Sequence, residues 1–398
     1  MKARPTSPRV LHSGTRAPLT ITKSYMEQIA QHRPVFVSRK MGYSCEEVQD
    51  RILPKYPMEK IEHGVAHARV VYKDYEFIEE ELRSNYHWQN HFCYTLDSKS
   101  SPNFRIKIRQ LPVCLRNVYV VSEEFNIDSW GKSMNKAHFE CLKFLIKKQG
   151  WNYVLLLQNY DVIIKSVYEI VEIYRLLSGA NDVEIVRAPL DLRIRHRRRW
   201  DAKSLNLFPE ASKSKENATL RFAKGVVQAS LSRAAVDWMV NRVNLTTLIE
   251  NINQEPFSDE LLIQSLQITD EFDMPGRFSY ECSQTGSAGT ITRLTHWIMG
   301  SPNDCLSRHV RHDICIMGVE HIPELSRTPH ILVNKMMPDF DYGAIECVHE
   351  LVFNRTFRNQ VIYHKYRHDP SWLSSLNCSN LVRPYRRLLP KSFPERDY

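Results

Sequence analysis

The residues of this sequence whose types and spacing could do chemistry lie mostly in its second half. Phe257-Ser-Asp-Glu260 stands directly before an apolar run, which reads Ser258 as a helix N-cap, Asp259 and Glu260 as first-turn carboxylates, and Phe257 as a staple against Leu262. A carboxylate in that place either takes a proton from a hydroxyl or only favours the helix dipole. Arg311 precedes Ile314-Cys-Ile-Met-Gly318 and Lys335 follows Ile331-Leu-Val333, so each cation sits beside a short strand-like segment. An arginine grips phosphate with two parallel bonds and a lysine supplies a compact point charge; the plain alternative is two surface cations at strand ends.

Other candidates are weaker. Asp339-Phe-Asp341 offers oxygen ligands to a hard cation, but it leads into the helical pattern around Ala344, where capping is the simpler role, and no metal is expected. The i, i+4 pairs His63/His67 and His87/His91 lack a third ligand. Asp97 ends a strand, where it either meets a ligand or forms a turn. Trp297, and less so Trp130, either stacks on a sugar face or packs in the core. Arginines and an aromatic from Arg193 to Trp200 suit single-stranded nucleic acid, yet a block of like charge is usually a solvated loop, and no nucleic-acid partner is expected.

The elements that must position these groups alternate. Strand patterns at Ala68 to Tyr72, His91 to Leu96, Asn117 to Ser122 and Tyr153 to Gln158 interleave with helical spacing at Phe77 to Tyr86, Pro102 to Val113, Ser133 to Lys148 and Ser166 to Leu177. That order implies βαβ units, a mainly parallel sheet, and a ligand site beyond the strands' carboxyl ends. Order returns after the Arg193 to Lys215 excursion with Val226 to Leu231 and a helix from Ser232. Residues 1–60, rich in Pro, Ser, Thr and basic residues, read as a stem or arm; 61–365 read as one catalytic domain and 366–398 as a basic tail.

With 398 residues, the chain exceeds the roughly 250–300 at which one core stops growing, so flanking segments are expected. The net charge of +9 admits nucleic acid, an anionic membrane or a phosphate-bearing substrate. Nine cysteines and four N-x-[ST] sequons, at Asn217, Asn244, Asn354 and Asn377, favour an oxidising, secretory compartment. Residues 1–30 hold neither a signal-like apolar region nor an approximately 20-residue spanning run.

Several rare residues recur in the order of a known family. Val70-Val71, Tyr86-x-x-Gln89-Asn90, Cys93, Leu96-Asp97-Ser-Lys99, Asn117 to Ser122, Ser129-Trp130, Cys141-Leu142 and Tyr153 to Asp161 with Lys165 open the match. Phe257-Ser-Asp-Glu-Leu261, Trp297, His309-Val-Arg311, Cys315-x-x-Gly318, Val333-Asn334-Lys335, Asp339-x-Asp341 and Ala344-Ile345-Glu346-Cys347 continue it. From Val65 to Leu351 the chain resembles the core-2/I-branching β-1,6-N-acetylglucosaminyltransferases, glycosyltransferase family 14. The resemblance departs at Lys224-Gly-Val-Val-Gln-Ala-Ser-Leu-Ser-Arg233, at Gln158-Asn159 and at Met299, residues that bear on the acceptor pocket.

What the resemblance implies is an α/β fold of GT-A type, a nucleotide-sugar-binding mixed and mainly parallel sheet flanked by helices. It further implies a UDP-sugar donor, a glycan or glycoprotein acceptor, inversion at the anomeric carbon, and no divalent metal or other cofactor. Glu260 is then the general base, Arg311 and Lys335 neutralise the leaving diphosphate, Val71 and Asp97 meet the nucleotide, and Trp297 stacks on the acceptor. Golgi residence and membrane association follow from the same resemblance. A carbohydrate-binding relative without turnover and a peptide O-xylosyltransferase-like member are the alternatives.

Overall fold

The computed structural model describes residues 27–38, 41–186, 194, 198–209, 215–280, 290–298 and 304–357. Asn377, Met299, Cys282, Cys378, the tail from 366, and Arg193, Arg195 and Arg197 lie outside the described residues.

The alternation expected from the sequence is realised. After α1 (Cys45–Ile52) come β1 (Gly64–Val71), α2 (Tyr75–Ser84), β2 (His91–Asp97), α3 (Pro102–Cys114), β3 (Val118–Phe125), α4 (Met134–Leu145) and β4 (Trp151–Leu157). The short β5 (Val162–Ile163) and α5 (Val167–Leu177) follow, then β6 (Asp182–Val183), β7 (Ala229–Ser232) and α6 (Arg233–Asp237). Local chemistry explains several boundaries. Ser44 with Glu47 and Ser166 with Glu169 form capping boxes on α1 and α5. Ser101 caps α3 ahead of Pro102, whose missing N–H costs nothing in a first turn.

Six strands form the main sheet in the order β3-β2-β1-β4-β7-β6. The first four are mutually parallel, while β7 runs against both β4 and β6. All eight residues of β1 are buried, as a strand covered on both faces requires. One face packs Ala66, Ala68, Val154 and Leu156 against α4 and the later helices. Phe92, Tyr94 and Leu96 of β2 join α2 and α3 in a second core. The chain moves outward from β1 to β3 and returns to the other side of β1 with β4, so strand order reverses between β1 and β4. In open α/β sheets such a switch point is where ligands bind.

Later elements build over that end. They are α7 (Thr246–Ile252), α8 (Leu262–Ile268), β8 (Arg293–Leu294), the hairpin β9 (Val310–Arg311) and β10 (Ile314–Cys315), α9 (Ile322–Leu325), β11 (Leu332–Val333) and α10 (Tyr342–Phe357). Strands β5, β11 and β8 form a small second sheet.

The expected arm over 1–60 differs from the structure in its last part. Helix α1 buries Val48 and Ile52 in the core beside α2 and α3, because its two apolar positions fall one turn apart on a single face. Cys45 bonds to Cys114 of α3, Cys93 of β2 to Cys141 of α4, and Cys305 to Cys315. Cys347, exposed on α10, carries a free thiol. Among the described residues no helix is long and apolar enough to cross a membrane.

The Cys93–Cys141 bridge closes a loop with sequence separation 48 inside the core. Chain-entropy arguments give such a cross-link about 2–4 kcal/mol. The Cys93→Ala/Cys141→Ala protein should therefore lose about that much stability in urea unfolding; an unchanged midpoint would contradict the role.

Candidate active site

At the switch point the chain leaving β4 turns back across β1. Asn159 accepts the Tyr72 N–H at 2.9 Å and the Lys73 N–H at 3.4 Å. Val71 and Asp97, the two residues named for the nucleotide, end adjacent strands on this edge. The Asp97 carboxylate accepts the Lys99 N–H at 2.9 Å and pairs with the Lys99 ammonium at 3.2 Å, so it shapes its own turn as well as the strand end.

Beneath this edge lies a buried charge network. Arg293 of β8 donates to Gln228 Oε1 at 2.5 Å, Asn334 Oδ1 at 3.0 Å and Thr295 Oγ1 at 2.5 Å. Gln228 in turn donates to both oxygens of Asp161 at 2.9 Å, and Asn334 donates to Asp161 Oδ1 at 2.7 Å. The Gln158 N–H completes the Asp161 shell at 2.6 Å. Burial lowers the Arg293 pKa, opposed by Asp161, Glu184, Glu260 and Asp259; the cation keeps its charge because anions surround it. Arg293 was not identified in the sequence, where it is one arginine between threonine and leucine.

Lys335 follows Asn334 directly. Burial, then the charges of Arg293 and Arg311, depress its ammonium to about 8, with Asp161 pulling the other way. The two expected diphosphate ligands thus repel each other. Arg311, at the end of β9, is exposed and reaches Met337 Sδ at 3.7 Å. Two cations whose charges act on each other, one of them half-buried, could stabilise an anion placed between them.

Glu260 belongs to a different arrangement from the expected one. Ser258–Glu260 form a 3-10 turn and α8 begins only at Leu262 without a side-chain cap. Phe257 takes the left-handed conformation, φ 52, and its ring lies 5.0 Å from that of Trp130. Instead of capping, the Ser258 hydroxyl donates to Gly131 O at 2.9 Å. Gly131 has φ 80, and a Cβ there would fall 1.9 Å from an Asp259 carboxylate oxygen, so this turn tolerates only glycine. The Lys224 ammonium lies 3.1 Å from the Glu260 carboxylate and 5.9 Å from the centre of the Phe257 ring. Burial, then Glu260, raises Asp259 to about 7; burial likewise raises Glu184. The charges of Glu260 and Asp259 thus act on Arg293, and the charge of Arg293 acts on Lys335.

Trp297 is 45% exposed and bridges to Ile314, the partner of Arg311 in the β9–β10 hairpin. It shares that hairpin with Arg311, whereas Trp130, 57% exposed, lies against Phe257, which precedes the turn of Glu260. Asp341 is buried and accepts the N–H groups of Ala344 and Val319, the capping role read for it; Asp339 is exposed. Of the histidine pairs, His87 meets Glu59 O and His91 meets Tyr119 and Gln149, while His67 is buried against the Phe92 ring with its Nε2 unbonded among the described residues. Arg198 binds Asn251 O and Gln254, and Arg199 pairs with Asp201. Asn217 is exposed and Asn244 half-exposed, while Asn354 lies within α10 beside the buried Thr356.

Residues 65–326 match the sequence profile of a family described as Core-2/I-Branching enzyme. The chain is 27% identical over 306 residues to a beta-1,3-galactosyl-O-glycosyl-glycoprotein beta-1,6-N-acetylglucosaminyltransferase of Bos taurus, covering 74% of this chain and 71% of that protein. The Homo sapiens protein of the same name is 26% identical over 303 residues, 73% of this chain and 70% of the relative. A Mus musculus protein, numbered 3 in that series, is 25% identical over 336 residues, with 81% and 75% covered.

A pH dependence follows from Lys335. With its ammonium depressed to about 8, the cation is lost as pH rises through that value, so UDP affinity should fall between about pH 8 and 9. In Lys335→Arg, whose guanidinium stays charged, calorimetric UDP affinity should stay flat over the same range. A wild-type profile as flat as the variant's would remove Lys335 from anion binding.

Proposed function

We propose a function from one premise: this chain belongs to the Core-2/I-Branching enzyme family. It is a glycosyltransferase similar to enzymes named for β-1,6-N-acetylglucosamine transfer. Our reading is that it moves a sugar, N-acetylglucosamine, from UDP to a hydroxyl of a glycan in O-glycan branching, with inversion and without a divalent metal. Three disulfides among the described residues support an oxidising compartment, and the Golgi lumen suits such a reaction.

Inverting transfer is one displacement. The acceptor hydroxyl attacks the anomeric carbon opposite the departing UDP, the hydroxyl proton passes to a base, and the electron pair of the broken C–O bond goes to the diphosphate. In our reading Glu260 takes the proton, and Arg311 with Lys335 stabilises the negative charge that grows on UDP. The observation that supports this assignment is the bonded network at Arg293: it joins Asn334, the neighbour of Lys335, to Gln228, three residues after Gly225, whose N–H donates to Glu260 O at 3.1 Å. Val71 and Asp97 end strands at the switch point where a nucleotide fits. Trp297 offers an exposed ring to an acceptor sugar.

Glu260→Gln keeps size and hydrogen bonding but accepts no proton. Transfer should fall about 10²–10⁴-fold while UDP affinity stays nearly constant. A folded Glu260→Gln protein that transfers within about threefold of wild type, far from the 10²-fold floor of a lost base, would sink the assignment. Wild-type protein that binds UDP but transfers none of a panel of UDP-sugars would instead be a carbohydrate-binding relative.

Because fixed cations substitute for a metal in this reading, transfer should persist in EDTA. Complete loss in chelator with recovery in manganese would return attention to Asp339 and Asp341.

A further inference from the structure

Residues 33–36 lie against the 338–342 stretch that follows Lys335. Phe36 N–H donates to Pro338 O at 2.9 Å, Tyr342 N–H donates to Pro34 O at 2.8 Å, and the Phe36 and Tyr342 rings sit 5.0 Å apart. Arg33 is the centre of this strap. Its guanidinium donates to Asp341 Oδ2 at 2.6 Å and to both carboxylate oxygens of Glu320, one at 3.0 Å, and it covers the Phe340 ring at 4.6 Å. Burial opposes the Arg33 charge, but the bonds to Glu320 and Asp341 outweigh it and raise its pKa.

Each partner of Arg33 leads to the anion site. Phe340 also stacks on His309 at 4.3 Å, two residues before Arg311. Met337, which Arg311 touches, gives its carbonyl to the N–H groups of Phe340 and Asp341. On the other side the Met317 N–H donates to Lys335 O at 3.0 Å, and Gly318 and Val319 then run to Glu320, with the Val319 N–H on Asp341 Oδ2 at 3.0 Å. A Cβ at Gly318 would lie 2.5 Å from Arg33 Nη1 and 2.8 Å from Asp341 Oδ2, so glycine is what admits the guanidinium between the two segments.

We propose that Arg33 is a positioning residue of the diphosphate site: by clamping Glu320 to Asp341 it fixes the 317–320 and 335–341 segments so that Lys335 and Arg311 converge on one anion. The inference rests on the reading of those two cations as UDP ligands. It makes the arm a working part of donor binding and gives the missing side chain at position 318 a steric reason.

The test compares Arg33→Met, Gly318→Ala and the double variant Arg33→Met/Glu320→Gln in the full chain. UDP affinity is measured by calorimetry, donor and acceptor KM by transfer assay, and folding by thermal midpoint. Both single variants should weaken UDP and raise donor KM about tenfold while acceptor KM stays within about twofold, the split expected of a lost donor geometry. The double variant should regain thermal stability, because Glu320 no longer carries an unpaired charge and Asp341 keeps its backbone donors, yet UDP binding should stay weak. Recovery of UDP affinity together with stability would mark Arg33 as merely structural and overturn the proposal, as would folded single variants with wild-type affinity. Wild-type protein that fails to bind UDP would overturn the reading of Arg311 and Lys335 first; Arg33 variants indifferent to UDP while wild type binds it would overturn this inference alone.

Discussion

The buried contact between Arg293 and the Asp161 shell is the constraint on which the site depends. Arg293 belongs to the small sheet, Gln228 precedes β7 of the main sheet, Asn334 follows β11, and Asp161 follows β4. One guanidinium and one carboxylate, linked through two amides, therefore hold four chain segments at one point. Removing any member would leave a buried polar group unpaired, which costs far more than the bond itself contributes. The two sheets cannot slide past each other without breaking this knot, and Lys335 is the next residue along from one of its members.

Much of the framework was legible in the sequence because it is local. The strand and helix patterns from Val65 to Leu177 rest on side-chain period and caps, and Ser101, Pro102, Ser166 and Glu169 act where they stand. Their ends moved by a few residues, as with β1, which starts at Gly64 rather than Ala68, since pairing with β4 extends the strand beyond its most apolar part. The resemblance carried the naming of Glu260, Arg311 and Lys335, which spacing alone left open.

What was not legible depends on distant partners. Ser258 looks like a cap in its own tetrapeptide, but its hydroxyl finds Gly131 O, 127 residues away in sequence, and the left-handed Phe257 delays the helix to Leu262. Arg293 has no local signal, because Gln228 and Asn334 lie 65 and 41 positions away. Lys224 stood out only as a departure from the family pattern, and its position against Glu260 is a tertiary fact. Helix α1 read as arm because it is short and mostly polar; two buried residues, one cross-link and the Arg51–Glu79 ion pair tie it to the body.

That cross-link has a topological consequence. Cys45 and Cys114 join the polypeptide on both sides of the stretch from Leu53 to His63, so covalent continuity between the arm and the body has two routes. A peptide bond cut in that stretch leaves the two fragments as one molecule under oxidising conditions, and the strap at residues 33–36 stays close to its seat at an effective concentration set by the few residues between Phe36 and Cys45. Reduction leaves the nicked arm held by its non-covalent contacts alone. After such a cut, covalent retention of the arm is thus decided by the redox state of a single bond.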